Sequence, residues 1–311
     1  MVKIVFMGTP DFAAHILQRL INEKHEIILV VSQPDRPVGR KKELLATPVK
    51  LVALENSIPV FQPEKIKTDY EEIIAANPDI IITAAYGQIV PKAILNTPEL
   101  GCINVHASLL PKYRGGAPIH QAIIDGETET GITIMYMDVG LDTGDIISQQ
   151  TTPITENDNT GILFERLSEI GADLLIKTLP SIKAGTNERH QQEESKVTYA
   201  YNITREQEMI DWSKMAKEIF NQIRGLNPWP TAYTAINGQN VKIFKSEIIN
   251  KKSEETGIII AVSNAGIEIA CGDGGVIRIT ELQLAGKKRM PLKDLLNGEH
   301  PFKVGEQFEI F

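Results

Sequence analysis

Asn104, His106 and Asp142 carry the side-chain types that acyl transfer to an amine requires. Such a transfer passes through a tetrahedral intermediate with an oxyanion, so it needs a hydrogen-bond donor for that oxygen and a group that manages the amine proton. Asparagine supplies a neutral amide donor, and histidine acts as acid, base or charged donor near neutral pH. A carboxylate from a second strand end can orient the imidazole and stabilise its protonated form. These three residue types suit acyl transfer without a covalent enzyme intermediate.

Asn104 and His106 lie at the end of a short apolar segment, Cys102–Val105, which predicts a buried strand. A loop follows, and a helix is expected to begin at Ala117-Pro118. In an open parallel sheet, ligands bind outside the carboxyl ends of the strands, so a polar pair at a strand end is well placed for chemistry. The alternative is that an isolated Asn-x-His only satisfies turn backbone, and this pair alone leaves that alternative open.

Three other kinds of site are disfavoured by spacing. The histidines and cysteines show no H-x-x-H or C-x-x-C pattern, so no metal site is predicted. Ser108 lacks the G-x-S-x-G context of a serine nucleophile. Gly8 follows the first strand without the further glycines of G-x-G-x-x-G, which indicates a tight turn rather than a dinucleotide site.

The first two thirds of the chain alternate strand-like and helix-like segments at the spacing of βαβ units, which predicts an α/β fold with a Rossmann-like parallel sheet. Two later strands, Gly131–Asp138 and Asp145–Gln150, are joined by a Gly-bounded turn and predict an antiparallel hairpin at the sheet edge. The other predicted strands are Val2–Met7, Glu26–Val31, Ile58–Phe61, Asp79–Ala84 and Cys102–Val105, and predicted helices include Pro48–Asn56, Glu64–Ala76 and Asn159–Lys183.

The last third changes to short β runs separated by Gly and Asn, after a predicted helix at Asp211–Leu226. Five such runs predict a small β-barrel, for which an OB-like module is the natural candidate. The expected organisation is a catalytic domain over residues 1–189, a polar linker over 190–206 and a C-terminal domain over 207–311. The five runs are Ala232–Ile236, Val241–Ile249, Gly257–Ala261, Gly266–Ala270 and Val276–Leu284.

Composition is that of a soluble protein, with 311 residues, 42% of them hydrophobic, and a net charge of −8. No apolar run approaches the ~18 residues of a membrane-spanning helix, so no membrane partner is expected. Cys102 and Cys271 show no pairing pattern and predict reduced thiols in a cytoplasmic protein. Residues 207–311 carry 13 basic and 13 acidic residues, so an anionic partner would have to be held by local basic patches.

One such patch is the long segment Ser32–Thr47, which contains two prolines and the cations Arg36, Arg40, Lys41 and Lys42. Long connections of this kind tend to be functional or mobile. We expect a phosphate-contacting role, because the segment follows a strand at the same sheet edge as Asn104. A plainly solvated charged loop is the alternative.

Several motifs in a fixed order resemble those of the folate-dependent formyltransferases. The central motif is N-V-H-A-S-L-L-P-x-Y-R-G-G-A-P-I, from Asn104 to Ile119, and the resemblance runs from Lys3 to about Met290. The other motifs are F-M-G-T-P-D-F at Phe6–Phe12, Q-P-D-R-P-V-G-R at Gln33–Arg40, A-A-Y-G-Q-I-V-P at Ala84–Pro91, L-D-T-G-D at Leu141–Asp145, G-L-N-P-W-P at Gly225–Pro230 and A-G-K-K-R-M at Ala285–Met290.

This resemblance implies transfer of a formyl group from 10-formyltetrahydrofolate to the amine of methionine on initiator tRNA, without a metal. It implies that Asn104, His106 and Asp142 are the catalytic trio. Ser108, Leu109, Leu110 and Pro111 would line the tetrahydrofolate site. Tyr86, Gly87 and Gln88 are expected to help form the pterin pocket, with buried packing as the alternative for Tyr86.

The resemblance also implies two groups of tRNA contacts. The first is the inserted loop with Arg36, Arg40, Lys41 and Lys42, which would approach the acceptor end of the tRNA. The second is Lys287, Lys288 and Arg289 in the C-terminal domain. Family members often have G-R-G-K-K in the loop where this chain has G-R-K-K-E from Gly39 to Glu43, so which cation contacts which phosphate stays open.

Three rival functions remain at this stage. A formyltransferase for a small amine, such as glycinamide ribonucleotide or an amino sugar, would share the trio but would not require the basic loop or the second domain. A formyl-folate hydrolase could use the same trio with water. A non-catalytic RNA-binding protein would explain the basic patches but would leave the trio without a purpose. The chain shows no coiled-coil seam, and we expect a monomer.

Overall fold

The structure is a computed structural model that describes residues 2–38 and 43–309. The chain divides into two compact units, each described separately below. The first unit consists of Met1–Pro118, Glu129–Pro153 and Phe164–Tyr201, and the second of Ile119–Thr128, Ile154–Leu163 and Asn202–Phe311. The expected domain boundaries at residues 189 and 206 stay a prediction.

The first unit is built on a seven-stranded sheet in the order β5-β2-β1-β6-β7-β8-β9. Strands β5, β2, β1, β6 and β7 are parallel, which confirms the predicted parallel sheet. Strand β8 runs antiparallel to β7 and β9, which confirms the predicted edge hairpin. The strands are β1 (Lys3–Gly8), β2 (Glu26–Val31), β3 (Arg36–Val38), β4 (Glu43–Leu45), β5 (Val60–Phe61), β6 (Ile80–Ala84), β7 (Cys102–His106), β8 (Glu129–Tyr136) and β9 (Ile146–Pro153).

The central strands are nearly continuous apolar runs because helices cover both faces of a parallel sheet. All five residues of β6 and all but the first of β1 are buried. Helix α1 buries one apolar stripe that includes Phe12, Ile16 and Leu20. The helices up to residue 184 are α1 (Asp11–Asn22), α2 (Pro48–Glu55), α3 (Glu71–Ala75), α4 (Lys92–Leu95), α5 (Pro118–Ile124) and α6 (Thr160–Ala184).

The helix predicted over Glu64–Ala76 is wrong in its first half, since only Glu71–Ala75 is helical. The amide of Ile66 donates to the side-chain oxygen of Gln88 at 3.0 Å instead of to a helical carbonyl. The amides of Thr68 and Asp69 both donate to the Lys65 carbonyl and form a separate turn. Contacts with another part of the chain therefore override the helical pattern there.

The segment predicted as a loop over Ser32–Thr47 contains a short antiparallel hairpin, in which β3 pairs with β4. Residues 39–42 between the two strands, and with them the predicted tRNA contacts Arg40, Lys41 and Lys42, lie outside the described residues. Thr47 ends the segment as the N-cap of α2, where its side chain accepts a hydrogen bond from the Lys50 amide.

The second unit contains an antiparallel sheet in the order β10-β11-β14-β13-β12, with β15 paired to β14. A buried core that includes Trp212 packs against the sheet. The Trp212 indole donates to Thr234 Oγ1 at 2.9 Å and stacks on Phe308. The elements are β10 (Ala232–Ile236), β11 (Gln239–Lys252), β12 (Ile259–Ser263), β13 (Gly266–Ala270), β14 (Gly275–Leu284), β15 (Met290–Pro291), α7 (Arg205–Glu208), α8 (Ala216–Gly225) and α9 (Leu292–Leu295).

The predicted OB-like barrel is not confirmed, because β10 and β12 at the ends of this sheet do not pair with each other in the described part of the chain. The C-terminal segment lies between them instead. Its Phe308 amide donates to the Gly257 carbonyl and its Glu309 amide to the Ala235 carbonyl, both at 2.9 Å. The sheet is thus bridged by a segment that is not assigned as a strand.

Neither cysteine forms a disulfide, and both are buried. Burial raises the pKa of the Cys102 and Cys271 thiols to about 12. Within residues 2–38 and 43–309, no helix has the length and apolar character needed to cross a membrane. The same residues hold no cluster of three or more His, Cys, Asp or Glu suited to a metal ion.

Candidate active site

The parallel pairing of β6 and β7 places Thr83 beside Asn104. The Thr83 hydroxyl, buried between the strands, lies 2.8 Å from Asn104 Oδ1 and 3.2 Å from the Ile103 carbonyl. A hydroxyl has one proton to donate, and the shorter contact assigns it to Asn104 Oδ1, so the amide oxygen is the end that faces Thr83. The amide nitrogen is then the end that Asn104 presents on its other side.

His106 is the last residue of β7 and is only 5% exposed. Its Nε2 lies 3.0 Å from the carbonyl oxygen of Tyr113. Because a carbonyl only accepts, Nε2 carries the proton in this contact, and Nδ1 is the nitrogen that faces Asp142. Nδ1 lies 3.7 Å from Asp142 Oδ2.

Asp142 comes from the loop between β8 and β9, and its backbone is in the left-handed region with φ of 50°. The Gly115 amide donates to its Oδ2 at 2.8 Å. The backbone carbonyls of Asp142 and Gly144 both accept from the side-chain nitrogen of Gln192, at 2.7 and 2.8 Å. The Gly115 amide therefore holds the Asp142 carboxylate, and Gln192 holds the backbone of the Asp142 loop.

The structure thus brings Asn104 and His106, from the end of β7, together with Asp142 from the loop between β8 and β9. The arrangement combines an amide donor, an imidazole with one fixed nitrogen and a carboxylate facing the other nitrogen. These groups can stabilise an oxyanion and carry one proton between an attacking amine and a leaving group.

The predicted folate segment, Ser108–Pro111, follows β7 directly. Ser108 is fully buried, and its hydroxyl donates to the Lys112 carbonyl at 2.7 Å, which is a structural contact within the loop. The Leu110 amide donates to Thr133 Oγ1, and the Leu110 carbonyl accepts from Gln149. Leu109 is half-buried, whereas Leu110 is buried. Side chains of the edge hairpin therefore hold this loop in place.

The second predicted folate segment, Tyr86–Gln88, follows β6 at the same sheet edge. The Tyr86 carbonyl accepts from Thr9 Oγ1 at 2.9 Å and from the Gln33 amide group at 3.2 Å. The Tyr86 ring is buried, and burial raises the pKa of its hydroxyl to about 12. The Gln88 side chain bonds to the Ile66 amide, and Gly87 has φ of 91°, which favours glycine.

The basic residues predicted to contact tRNA differ in whether they form ion pairs with acidic side chains of this chain. Arg36 in β3 is exposed and lies 3.3 Å from Glu64. Arg289 makes a two-point contact with Glu281, at 2.7 and 2.8 Å, and lies over the Phe244 ring. Lys287 and Lys288 are exposed, and no ion pair is seen for them with any described residue.

Sequence reasoning missed several residues that support the site. Thr83 was hidden in an apolar strand, and only its pairing with Asn104 gives it a role. Gln192 lies in the predicted polar linker. Arg114 stands in the central motif, but its fully buried guanidinium and its contact with Gln192 depend on tertiary structure.

Two family models match the chain, one described as formyl transferase over residues 2–179 and one as formyl transferase, C-terminal domain, over residues 202–300. Methionyl-tRNA formyltransferases from Bacillus thuringiensis (strain Al Hakam) and Bacillus cereus (strain AH820) are each 54% identical to it over 312 residues. Each alignment covers 98% of this chain and 99% of the relative.

Solved structures with the same fold include WlaRD, a sugar 3N-formyl transferase determined in the presence of dTDP and 5-N-formyl-THF. It has a TM-score of 0.68 at 25% identity and covers 93% of this chain and 99% of that one. An N-formyltransferase from Helicobacter canadensis has a TM-score of 0.66 at 24% identity, covering 90% and 99%. With both family domains and 54% identity over nearly its whole length to curated members, the chain belongs to the formyltransferase family.

Proposed function

We propose that this chain transfers the formyl group of 10-formyltetrahydrofolate to the free α-amine of methionine esterified to initiator tRNA. The product is N-formylmethionyl-tRNA, which serves translation initiation. The observation that carries the proposal is the 54% identity with methionyl-tRNA formyltransferases over 98% of the chain. The site alone would fit many amine acceptors, so the acceptor is inferred from these relatives.

In the proposed mechanism, Asn104, His106 and Asp142 are the catalytic residues. The methionine amine attacks the formyl carbon, and the new C–N bond places negative charge on the formyl oxygen. The Asn104 amide and protonated His106 stabilise this oxyanion. Asp142 supports the imidazolium and accepts the amine proton, directly or through water, and the C–N10 bond then breaks as N10 takes up a proton.

The folate co-substrate would be bound by the two segments that follow β6 and β7. Ser108, Leu109, Leu110 and Pro111 would line one side of the site, and Tyr86, Gly87 and Gln88 would help form the pterin pocket. The buried positions of Ser108 and Tyr86 suggest that these two act by shaping the loops, while backbone groups and Leu109 face the ligand. Much of the rate gain would come from holding two substrates together, an effect that can reach roughly 7–11 kcal/mol.

The tRNA would be held by Arg36, Arg40, Lys41 and Lys42 near its acceptor end and by Lys287, Lys288 and Arg289. We assign the catalytic domain to residues 1–189, the linker to 190–206 and the tRNA-binding domain to 207–311. We further propose that the protein works as a monomer in the cytoplasm without a metal ion, where charged initiator tRNA and reduced folates are present.

The acceptor is tested by offering the wild-type enzyme 10-formyltetrahydrofolate with four acceptors in separate reactions. These are methionyl-initiator tRNA, methionyl-elongator tRNA, a dTDP-linked amino sugar and glycinamide ribonucleotide. We expect kcat/KM for the initiator tRNA to exceed the values for the other three by at least about a hundredfold. Preferred transfer to a small amine would overturn the acceptor assignment, and tRNA binding without transfer to any acceptor would overturn the catalytic assignment.

A further inference from the structure

The segment of residues 190–200, here called the strap, hydrogen-bonds to both loops that build the candidate site. At its start, the backbones of His190 and Ile146 exchange two hydrogen bonds of 2.8 and 2.9 Å, beside the Asp142 loop. At its end, Ala200 accepts from the Ala117 amide and donates to the Arg114 carbonyl. The strap therefore spans from the loop that carries Asp142 to the loop that carries Gly115.

Gln192 is a buried side chain of the strap, at 9% exposure, and it contacts the Asp142 loop. Its amide nitrogen donates to the carbonyls of Asp142 and Gly144, at 2.7 and 2.8 Å. Its amide oxygen accepts from Arg114 Nε at 3.0 Å. Both ends of the Gln192 amide are thus used, so the side chain has one fixed orientation.

Arg114 locks this arrangement from the other side. Its guanidinium is buried, and it also donates to Glu194 Oε1 of the strap at 2.9 Å. The residue after it, Gly115, donates its amide to Asp142 Oδ2. Arg114 and Gly115 therefore act on Asp142 in two ways. Gly115 binds the carboxylate directly, and Arg114 holds Gln192, which binds the backbone of the loop.

The Asp142 loop needs such an external support for a physical reason. Asp142 has a positive φ, a conformation that costs an L-residue free energy, although aspartate tolerates it better than most. Carbonyls that point inward from a turn like this one require donors, and Gln192 supplies them for Asp142 and Gly144. Without the Gln192 contacts, the loop would not hold the Asp142 carboxylate in its place, 3.7 Å from His106 Nδ1.

We propose that Gln192, held by Arg114, is a positioning residue for the catalytic Asp142, and that the strap is part of the active site rather than a passive connection. This inference rests on the proposed function, since it assumes that Asp142 takes part in formyl transfer. Gln192 acts through the Asp142 loop and does not touch substrate.

The test is a double-mutant cycle measured by formyl transfer to methionyl-initiator tRNA. Gln192→Met removes both donors and the acceptor at similar volume, and Gln192→Glu keeps the acceptor for Arg114 but removes the donors. We expect each to lower kcat about tenfold or more. The exposed neighbour Gln191 provides a matched control, and Gln191→Met is expected to leave kcat within about twofold.

The decisive comparison is made in an Asp142→Ala background. If Gln192 acts through Asp142, Gln192→Met and Gln192→Glu should lower the residual rate less than about twofold there. An equal fold-loss in both backgrounds would indicate general structural damage and would overturn the proposal, as would wild-type kcat in Gln192→Glu. An inactive wild-type enzyme would instead count against the proposed function, so the two failures are distinguishable.

Discussion

Asn104 can serve as an oxyanion donor only if its amide nitrogen, and not its oxygen, faces the reacting carbon. An unsupported asparagine can flip its amide at little cost. Thr83 Oγ1 is buried and lies 2.8 Å from Asn104 Oδ1, so its single hydroxyl proton is donated to the amide oxygen in this arrangement. This contact from a neighbouring strand holds the Asn104 amide with its nitrogen on the side away from Thr83.

This contact leads to a prediction for Thr83→Val, which keeps the shape of the side chain and removes its hydroxyl. We expect kcat for formyl transfer to fall about tenfold to a hundredfold, somewhat less than the loss of an oxyanion donor itself. Steady-state kinetics would measure the effect. Thr83→Ser, which keeps the hydroxyl, should retain most of the rate; a Thr83→Val enzyme as fast as wild type would show that Asn104 does not need this support.

At the residue scale, Asn104 and His106 could be named from sequence because they stand at the end of a predicted strand, and Asp142 because it lies in the turn of the predicted hairpin. Their supports could not. Thr83 reads as one more member of an apolar strand, and Gln192 reads as one polar residue among many in the strap. Their roles depend on strand register and on the return of the chain after α6, which local patterns do not encode.

The edge hairpin of β8 and β9 packs against Ser108–Pro111, the predicted folate segment. Gly131 in β8 has no room for a side chain, because a Cβ there would lie 2.6 Å from Leu109 Cδ2 and would also press on the Gln150 carbonyl of β9. Close backbone approach of this kind is a common reason for glycine within a strand.

We therefore expect Gly131→Ala to lower the free energy of unfolding by about 1–3 kcal/mol, since either the strands or the Leu109 loop must move. Urea unfolding would measure this, and KM for the folate substrate should rise as well. Gly298→Ala is the control, because a Cβ at Gly298 meets only the Leu295 carbonyl at 3.8 Å. Equal stability of Gly131→Ala and wild type would contradict the packing argument.

Helix α5 contributes a pH-sensitive residue, His120. Burial lowers its pKa, and a hydrogen bond that the imidazole donates to the Trp229 backbone carbonyl opposes this shift. Its Nε2 is buried without a hydrogen bond to the described residues. The folded state therefore binds a proton on His120 less readily than the unfolded state. Stability must then fall as the pH drops below the unfolded value of 6.5, with no contribution well above it.

Thermal unfolding of wild type and His120→Gln at pH 7.5 and pH 5.5 tests this directly. The melting temperature of the wild type should decrease more between pH 7.5 and pH 5.5 than that of the variant, whatever the variant's stability at pH 7.5. The comparison between proteins isolates His120 from other titrating groups, including His25, whose pKa burial also lowers. Identical losses in the two proteins would contradict the assignment.

At the element scale, the parallel sheet and its edge hairpin were predictable because apolar runs of strand length alternate with amphipathic helices. Several predictions did not hold in full; the helix predicted over Asp211–Leu226, for example, begins at Ala216. The helix predicted over Glu64–Ala76 is shortened because the Ile66 amide bonds to Gln88. The predicted barrel would require β10 to pair with β12, and in the described residues these end strands do not pair. The last two outcomes are set by contacts between distant parts of the chain.

For the whole molecule, an acidic protein with a net charge of −8 must bind a polyanion through local patches. In the described structure, the cations Lys287, Lys288 and Arg289 differ in whether they form an ion pair. Arg289 is engaged by Glu281, whereas Lys287 and Lys288 are exposed. Of these three cations, the two lysines are therefore more available than Arg289 for phosphate contacts.

We predict that Lys287→Gln with Lys288→Gln weakens tRNA binding and reduces the slope of log K against log salt by about 1–2 units, through lost counterion release. Filter binding or fluorescence titration across salt concentrations would measure both. The control replaces the exposed Lys24, in the turn after α1, and the exposed Lys177, in α6, and should leave the slope unchanged. A double Lys287/Lys288 variant with the wild-type slope would remove these residues from the tRNA interface.

The central claim is that Asn104, His106 and Asp142 carry out formyl transfer, and the most direct measurement is a single-turnover rate with Asn104→Ala. Enzyme in excess over methionyl-initiator tRNA, at saturating 10-formyltetrahydrofolate, reports the chemical step without product release. Asn96→Ala, at an exposed asparagine that ends α4, is the matched control. We predict a loss of about a hundredfold or more for Asn104→Ala and none for the control. A rate within about threefold of wild type for Asn104→Ala would contradict the account.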